Sequence, residues 1–241
     1  MFSICTFFRK TVIKVKPIDE PEMKGEHFCV EIEFNHGKEP YNMFCHTWRY
    51  DPSVPSAMKS GEISYFYKVS GEKKFIMFIK IDGNQLDDFL YNKIYTIRDF
   101  EDQIKINVTA MYDYVTFANL ASTLTGSEKK YEEIQSINNQ EGGAYHLLDI
   151  KMEHSGMSHK DFLDIWEKEI AAALGAKKMG IAIDIWKVLG ERRVLAVTKI
   201  ESLPALDQII LTLPMMKEMG DQMYITTKRL TEYTNFKEQP R

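Results

Sequence analysis

Tyr67-Lys-Val-Ser-Gly71-Glu72 and Trp186-Lys-Val-Leu-Gly190-Glu191 are one hairpin written twice. Outward from it, residues 61–117 lie on residues 180–236 without a gap at an offset of 119 positions. Matched positions include Ile81/Ile200, Asp88/Asp207, Gln103/Gln222, Ile106/Ile225 and Tyr114/Tyr233. A unit of roughly 100 residues that recurs once is too long for a solenoid module and has the size of a small domain. The chain therefore divides into two sister domains, residues 26–117 and 144–236. An extension at 1–25, a linker at 118–143 and a tail at 237–241 complete it. A domain that small buries a modest core, so each half is expected to hold an apolar face that wants its twin.

The order of elements comes most clearly from the second copy. Residues 145–152 alternate as a half-buried strand, with His146, Leu148, Ile150 and Met152 on one side and Tyr145, Leu147, Asp149 and Lys151 on the other. Ser158 reads as a helix cap, and Phe162, Leu163, Trp166, Ile170, Ala173 and Leu174 recur at helical spacing. Residues 181–188 and 193–200 read as paired strands, 202–219 as a helix and 222–230 as a closing strand. The first copy repeats this order at 28–34, 39–59, 63–69, 75–81, 85–100 and 104–112, with only 41–50 regular in its first helix because of Pro52 and Pro55. The first strand needs an offset of 118, pairing Glu31 with Asp149, Glu33 with Lys151 and His36 with His154. This is an α+β chain of two ferredoxin-like βαββαβ units. The polar linker is expected to hold at most a short helix at 128–137.

Composition sets limits on function. The 241 residues are 44% hydrophobic and 27% charged with a net charge of -4, so nothing forms the basic footprint that nucleic acid demands. Cys5, Cys29 and Cys45 are odd in number and lack CxxC spacing, which points to reduced thiols in the cytoplasm. No run approaches the ~20 apolar residues of a membrane span. Phosphate-loop, dinucleotide, zinc-protease and nucleophile-elbow motifs are missing from the sequence. His154 and His159 straddle a loop and make a poor metal pair, so no metal is expected. The methionines Met215, Met216 and Met219 read as core.

The run Ile185-Trp-Lys-Val-Leu-Gly190, with Ser202-Leu-Pro-Ala-Leu206, Leu211-Thr-Leu-Pro-Met215 and Leu148-Asp-Ile-Lys-Met152, resembles the muconolactone isomerase family. The resemblance is clearest over residues 145–230. It implies a dimeric α+β barrel, here closed within one chain by the tandem copies, and a small organic molecule as ligand. Where that family has a first-strand His, this chain has Asp149, and its Gly-His-Tyr hairpin tip is Gly190-Glu191-Arg192. Haem is carried by some barrels of this architecture, but no residue marks an axial ligand, and no cofactor is expected.

Strand alternation turns Asp149 and Lys151, with His27, Cys29, Glu31 and Glu33, toward the barrel interior. Carboxylates crowded with a lysine in a low-dielectric pocket acquire shifted pKa values, which suits proton abstraction beside a carbonyl. Asp149, Glu31 and Glu33 are candidate bases and Lys151 a candidate stabiliser of the enolate. His27, Tyr65, Tyr67, Asp184, Trp186 and Arg193 are candidate substrate contacts, with Lys74 completing the cavity wall. Cross-strand ion pairing and aromatic packing account for the same residues without chemistry. Two readings follow. One is a cofactor-independent isomerase, cyclase or lyase acting on a small cyclic or lactone-like molecule. The other is a non-catalytic binding or structural protein that kept the barrel, which the replaced His and hairpin tip favour. Further homo-oligomers are compatible with both.

Overall fold

The computed structural model describes residues 25–34, 38–134 and 142–233. Eight antiparallel strands close into a barrel: β1 (Glu26–Phe34), β2 (Ile63–Val69), β3 (Lys74–Ile81), β4 (Ile104–Asp113), β5 (Ala144–Met152), β6 (Ala182–Val188), β7 (Arg193–Ile200) and β8 (Met223–Glu232). Around the barrel they run β1-β3-β2-β8-β5-β7-β6-β4, with β4 pairing back onto β1. Closure leaves no free sheet edge.

Two seams join β1–β4 to β5–β8. At one, Tyr67, Lys68 and Val69 pair with Glu232, Thr231 and Leu230. At the other, Met111, Tyr112 and Asp113 pair with Val188, Lys187 and Trp186. The registers of the halves correspond: His27 pairs with Lys80 and Met111, as Tyr145 pairs with Lys199 and Leu230.

Alternation along the strands sorts side chains into three cores. Phe28, Val30, Ile32 and Phe34 of β1 point outward to α1 (Lys38–Tyr50) and α2 (Ser53–Ser60), meeting Phe44, Trp48, Val54 and Ala57. Leu148 and Met152 of β5 point outward in the same way to Phe162, Trp166 and Ile170. The inner core holds Cys29, Tyr67, Ile76, Phe78, Leu147, Trp186, Leu195 and Val197.

Departures from the expected helices have local causes. Pro55 lies in the first turn of α2, where its missing N–H is harmless, so regular helix follows the break at Asp51-Pro52. The single helix expected over 85–100 is α3 (Leu86–Asp88), a π turn at Phe89–Lys93, and α4 (Tyr95–Asp99). Ile94 is extended between the last two, and the helix restarts where the Asp51 carboxylate accepts from Thr96 N (2.8 Å) and Oγ1 (2.7 Å). The polar stretch expected from residue 118 onward begins as helix α5 (Tyr114–Thr125), capped by Asp113 and buried through Tyr114, Val115, Phe117, Ala118 and Ala121. Residues 128–134 are not helical, and 135–137 lie outside the described residues.

In the second half, α6 (His159–Lys178) begins at Ser158, whose Oγ accepts from Asp161 N at 3.1 Å. The helix expected over 202–219 is two, α7 (Leu203–Thr212) and α8 (Pro214–Met219), because Pro214 holds Leu213 extended. Met215 and Met219 are buried, as the periodicity predicts. Among the described residues no helix is long and apolar enough to cross a membrane.

Candidate functional site

Tyr67, Phe78 and Trp186 plug the middle of the barrel, each at most 2% exposed. Phe78 stacks on Trp186 with ring centroids 4.2 Å apart and planes 12° from parallel, and Tyr65 meets Trp186 edge-on at 5.9 Å. Residues 27 and 31 project from the same face of β1 on either side of this plug, ~13 Å apart at the rise of a strand. The plug therefore separates two cavities.

The first is a charged chamber of about 220 Å³ lined by Cys29, Glu31, Lys74, Thr109, Leu147, Asp149, Arg193, Leu195 and Lys228. Arg193 grips Asp149 through two parallel hydrogen bonds, Nε to Oδ1 at 2.7 Å and Nη2 to Oδ2 at 2.8 Å. That bond raises the Arg193 pKa above its ordinary value. The corresponding pair in the first half is loose: Lys74 Nζ stands 3.7 Å from Glu31 and 3.6 Å from Glu33. Lys228 bonds Glu72 at 3.0 Å. Cys29 is fully buried, and its thiol is pushed far up by burial and then by the Glu31 charge, so it is a neutral wall and no nucleophile.

The second cavity, about 480 Å³, opens at the β4–β6 seam. His27, Lys80, Asp113, Lys177, Asp184 and Trp186 line it together with Met111, Val115 and Leu189. Burial, and then the Lys80 charge, lower the His27 pKa, which keeps the imidazole neutral. Asp184 is held by Lys177 Nζ at 2.6 Å and accepts from the Tyr65 hydroxyl at 3.5 Å.

The residues singled out from the sequence thus fall into three places. Glu31, Asp149 and Arg193 meet in the chamber; His27, Asp184 and Trp186 meet at the seam; Tyr65 and Tyr67 belong to the aromatic packing between, and burial raises both phenols. Glu33 is half-exposed and Lys151 exposed, and neither lines the chamber. Alternation ignores how far along the barrel a residue sits, and these two lie two positions further along their strands than Glu31 and Asp149. Lys74, read from the sequence as part of the cavity wall, lines the chamber, whereas Lys228 escaped that reading although it stands on an inward position. Lys228 matches Thr109, so the repeat gave no cue to it. His36 lies outside the described residues, and His154 packs its ring against Phe162 at 4.8 Å, away from both cavities.

No cluster of three or more His, Cys, Asp or Glu among the described residues could hold a metal ion. The residues do not fit a haem either. The apolar space of about 70 Å³ between sheet and helices α6 and α7 has no His or Cys in its wall, and the His27 cavity is ringed by Asp113, Asp184, Lys80 and Lys177 where a macrocycle needs apolar walls.

Comparison with known proteins agrees with this architecture. Residues 145–235 match the family model of muconolactone delta-isomerase. No protein of curated function is similar in sequence to the chain. Among solved structures, the chain resembles a candidate monooxygenase from Lactobacillus acidophilus NCFM, at 9% identity and a TM-score of 0.53, over 87% of this chain and 94% of that one. It also resembles an arginine-to-lysine variant of chlorite dismutase from Candidatus Nitrospira defluvii, at 11% identity and a TM-score of 0.51, over 90% of this chain and 95% of that one. At these identities the likeness is one of fold.

Proposed function

We propose that the chain is a tandem pair of ferredoxin-like units, residues 26–117 and 144–236, whose barrel performs cofactor-independent acid–base chemistry on a small lactone-like molecule. The constant offset of 119 and the corresponding strand registers support the tandem reading. The match of residues 145–235 to muconolactone delta-isomerase supports the isomerase, cyclase or lyase class. One observation carries the assignment of roles: of the two acids in the chamber, Asp149 is clamped by Arg193 and Glu31 is not.

In this reading Glu31 takes a proton beside the substrate carbonyl and returns it at a neighbouring carbon. Lys74 and Lys228 face the enolate oxygen as charge develops on it, the task first assigned to Lys151. Asp149 fixes Arg193 and so sets the electrostatics of the chamber without itself moving a proton. A chamber of about 220 Å³ is below the ~300–1,000 Å³ of pockets for drug-sized ligands, so the substrate is a single small ring.

The test is turnover of a panel of small unsaturated lactones by the wild type, Glu31→Gln and Asp149→Asn. Glu31→Gln is expected to lose at least about 100-fold in kcat. Equal rates in wild type and Glu31→Gln remove Glu31 from the mechanism. The packed middle of the barrel favours a second reading, a non-catalytic protein that binds a small ligand or serves a structural role. Lack of turnover across the panel, with a ligand bound in the chamber, supports that alternative.

A further inference from the structure

The two seams occupy corresponding places in the barrel but are filled differently. At the β2–β8 seam the interior is closed by aromatic rings: Tyr145 packs on Tyr67 at 5.6 Å, Tyr65 stacks beside Tyr67 at 6.2 Å, and Lys199 Nζ lies 5.4 Å above the Tyr145 ring. At the β4–β6 seam the position of Tyr145 is taken by His27 and that of Tyr65 by Asp184, while Lys199 corresponds to Lys80. The β4–β6 seam thus lacks the ring that Tyr145 supplies to the other, and the Tyr65 hydroxyl reaches across to Asp184 at 3.5 Å. The cavity of about 480 Å³ opens beside His27, at the position corresponding to Tyr145.

The groups around that space are in unequal states. Asp184 is neutralised by Lys177, and Asp113 is engaged as the cap of α5, accepting from Val115 N at 3.2 Å. Glu26 and Glu133 stand exposed at the rim. Lys80 pairs with no carboxylate among the described residues and covers no ring, whereas its counterpart covers Tyr145. The His27 imidazole makes no hydrogen bond among the described residues, although it is largely enclosed. Trp186, Met111, Val115 and Leu189 supply apolar wall.

We infer that the cavity at the β4–β6 seam is a binding site for a small aromatic carboxylate, separate from the charged chamber. The ligand ring occupies the volume that Tyr145 fills in the other seam, its carboxylate faces Lys80, and His27 donates or accepts one hydrogen bond. Ring and charge are both required, because Lys80 can act on a π face and on an anion but has neither partner among the described residues.

The experiment is calorimetric titration of the full chain with 4-hydroxybenzoate, cyclohexanecarboxylate and benzylamine. 4-Hydroxybenzoate is expected to bind with Kd below about 1 mM and the other two at least about tenfold more weakly. His27→Tyr refills the cavity and is expected to abolish binding. Lys80→Gln changes only an exposed rim residue, so it reads the site even if the first variant fails to fold, and is expected to weaken 4-hydroxybenzoate about tenfold. Absence of 4-hydroxybenzoate binding, a preference for benzylamine, or binding lost in Lys74→Ala and unaffected by Lys80→Gln would each overturn the inference.

Discussion

Arg193 and Asp149 form a two-point clamp across β5 and β7, while the corresponding Lys74 and Glu31 only approach to 3.7 Å. Both pairs are mostly shielded from solvent, yet only one has its charges committed to each other. Removing one member of a shielded, bidentate pair leaves the other charge without compensation. Asp149→Ala is therefore expected to lower unfolding free energy by about 1–3 kcal/mol in urea titration, whereas Glu31→Gln shifts it by less than about 1 kcal/mol. In the proposed reading the clamp is structural and the loose pair carries the chemistry.

Lys187 provides a pH-dependent marker of the β6–β7 hairpin. Its ammonium is buried over the rings of Phe117 and Trp166, each 5.5 Å away, and donates to the carbonyls of Val188 and Glu191. Burial lowers its pKa from 10.5 to about 8. Between those two values the unfolded chain keeps a proton that the folded chain has released, so stability contributed by this group rises with pH across that window and is flat below it. The stability difference between wild type and Lys187→Met, followed by urea titration from pH 7 to about pH 10, is expected to move in favour of the wild type as pH rises.

Asp51 staples the break between α1 and α2 to the start of α4. Its carboxylate, 5% exposed, accepts from Ser53 N at 2.8 Å and Ser53 Oγ at 2.5 Å through one oxygen, and from Thr96 N and Oγ1 through the other. Asp51→Ala orphans these donors inside the fold. A loss of about 2–4 kcal/mol in thermal or urea unfolding is expected, with Asp51→Asn intermediate.

Trp186 lines the seam cavity and belongs to the ring plug, with Tyr67 and Phe78, that stands between it and the chamber. Trp186→Ala removes its stack on Phe78 and is expected to cost about 3–5 kcal/mol and to join chamber and seam cavity into one void visible in a crystal structure. Trp186→Phe keeps most of the plug and is expected to cost less.

Much of this architecture is legible in the chain. The strand alternation that turns Asp149 and Glu31 inward follows from Leu148 and Met152 needing the helices, and the structure packs them there. What alternation lacks is depth along a tilted barrel, so it could not tell Glu31 in the chamber from Glu33 at its rim. Nor could it reveal that large rings at Tyr67, Phe78 and Trp186 split one expected chamber into two. The break at Leu213 follows from Pro214, a signal that the reading of 202–219 as one helix passed over, whereas the restart of α4 depends on Asp51, 45 residues away from Thr96. Helix α5 was obscured by the polar residues that follow it, although Ala118 and Ala121 continue the buried face begun by Tyr114.

The most direct test of the account is deuterium incorporation from D2O into a small unsaturated lactone, followed by proton NMR with the wild type and Glu31→Gln at matched protein concentration. Wild type is expected to exchange the proton beside the carbonyl and Glu31→Gln to do so at least about 100-fold more slowly. Exchange at the same rate in both proteins would contradict the central claim that the unclamped carboxylate of the charged chamber moves the proton.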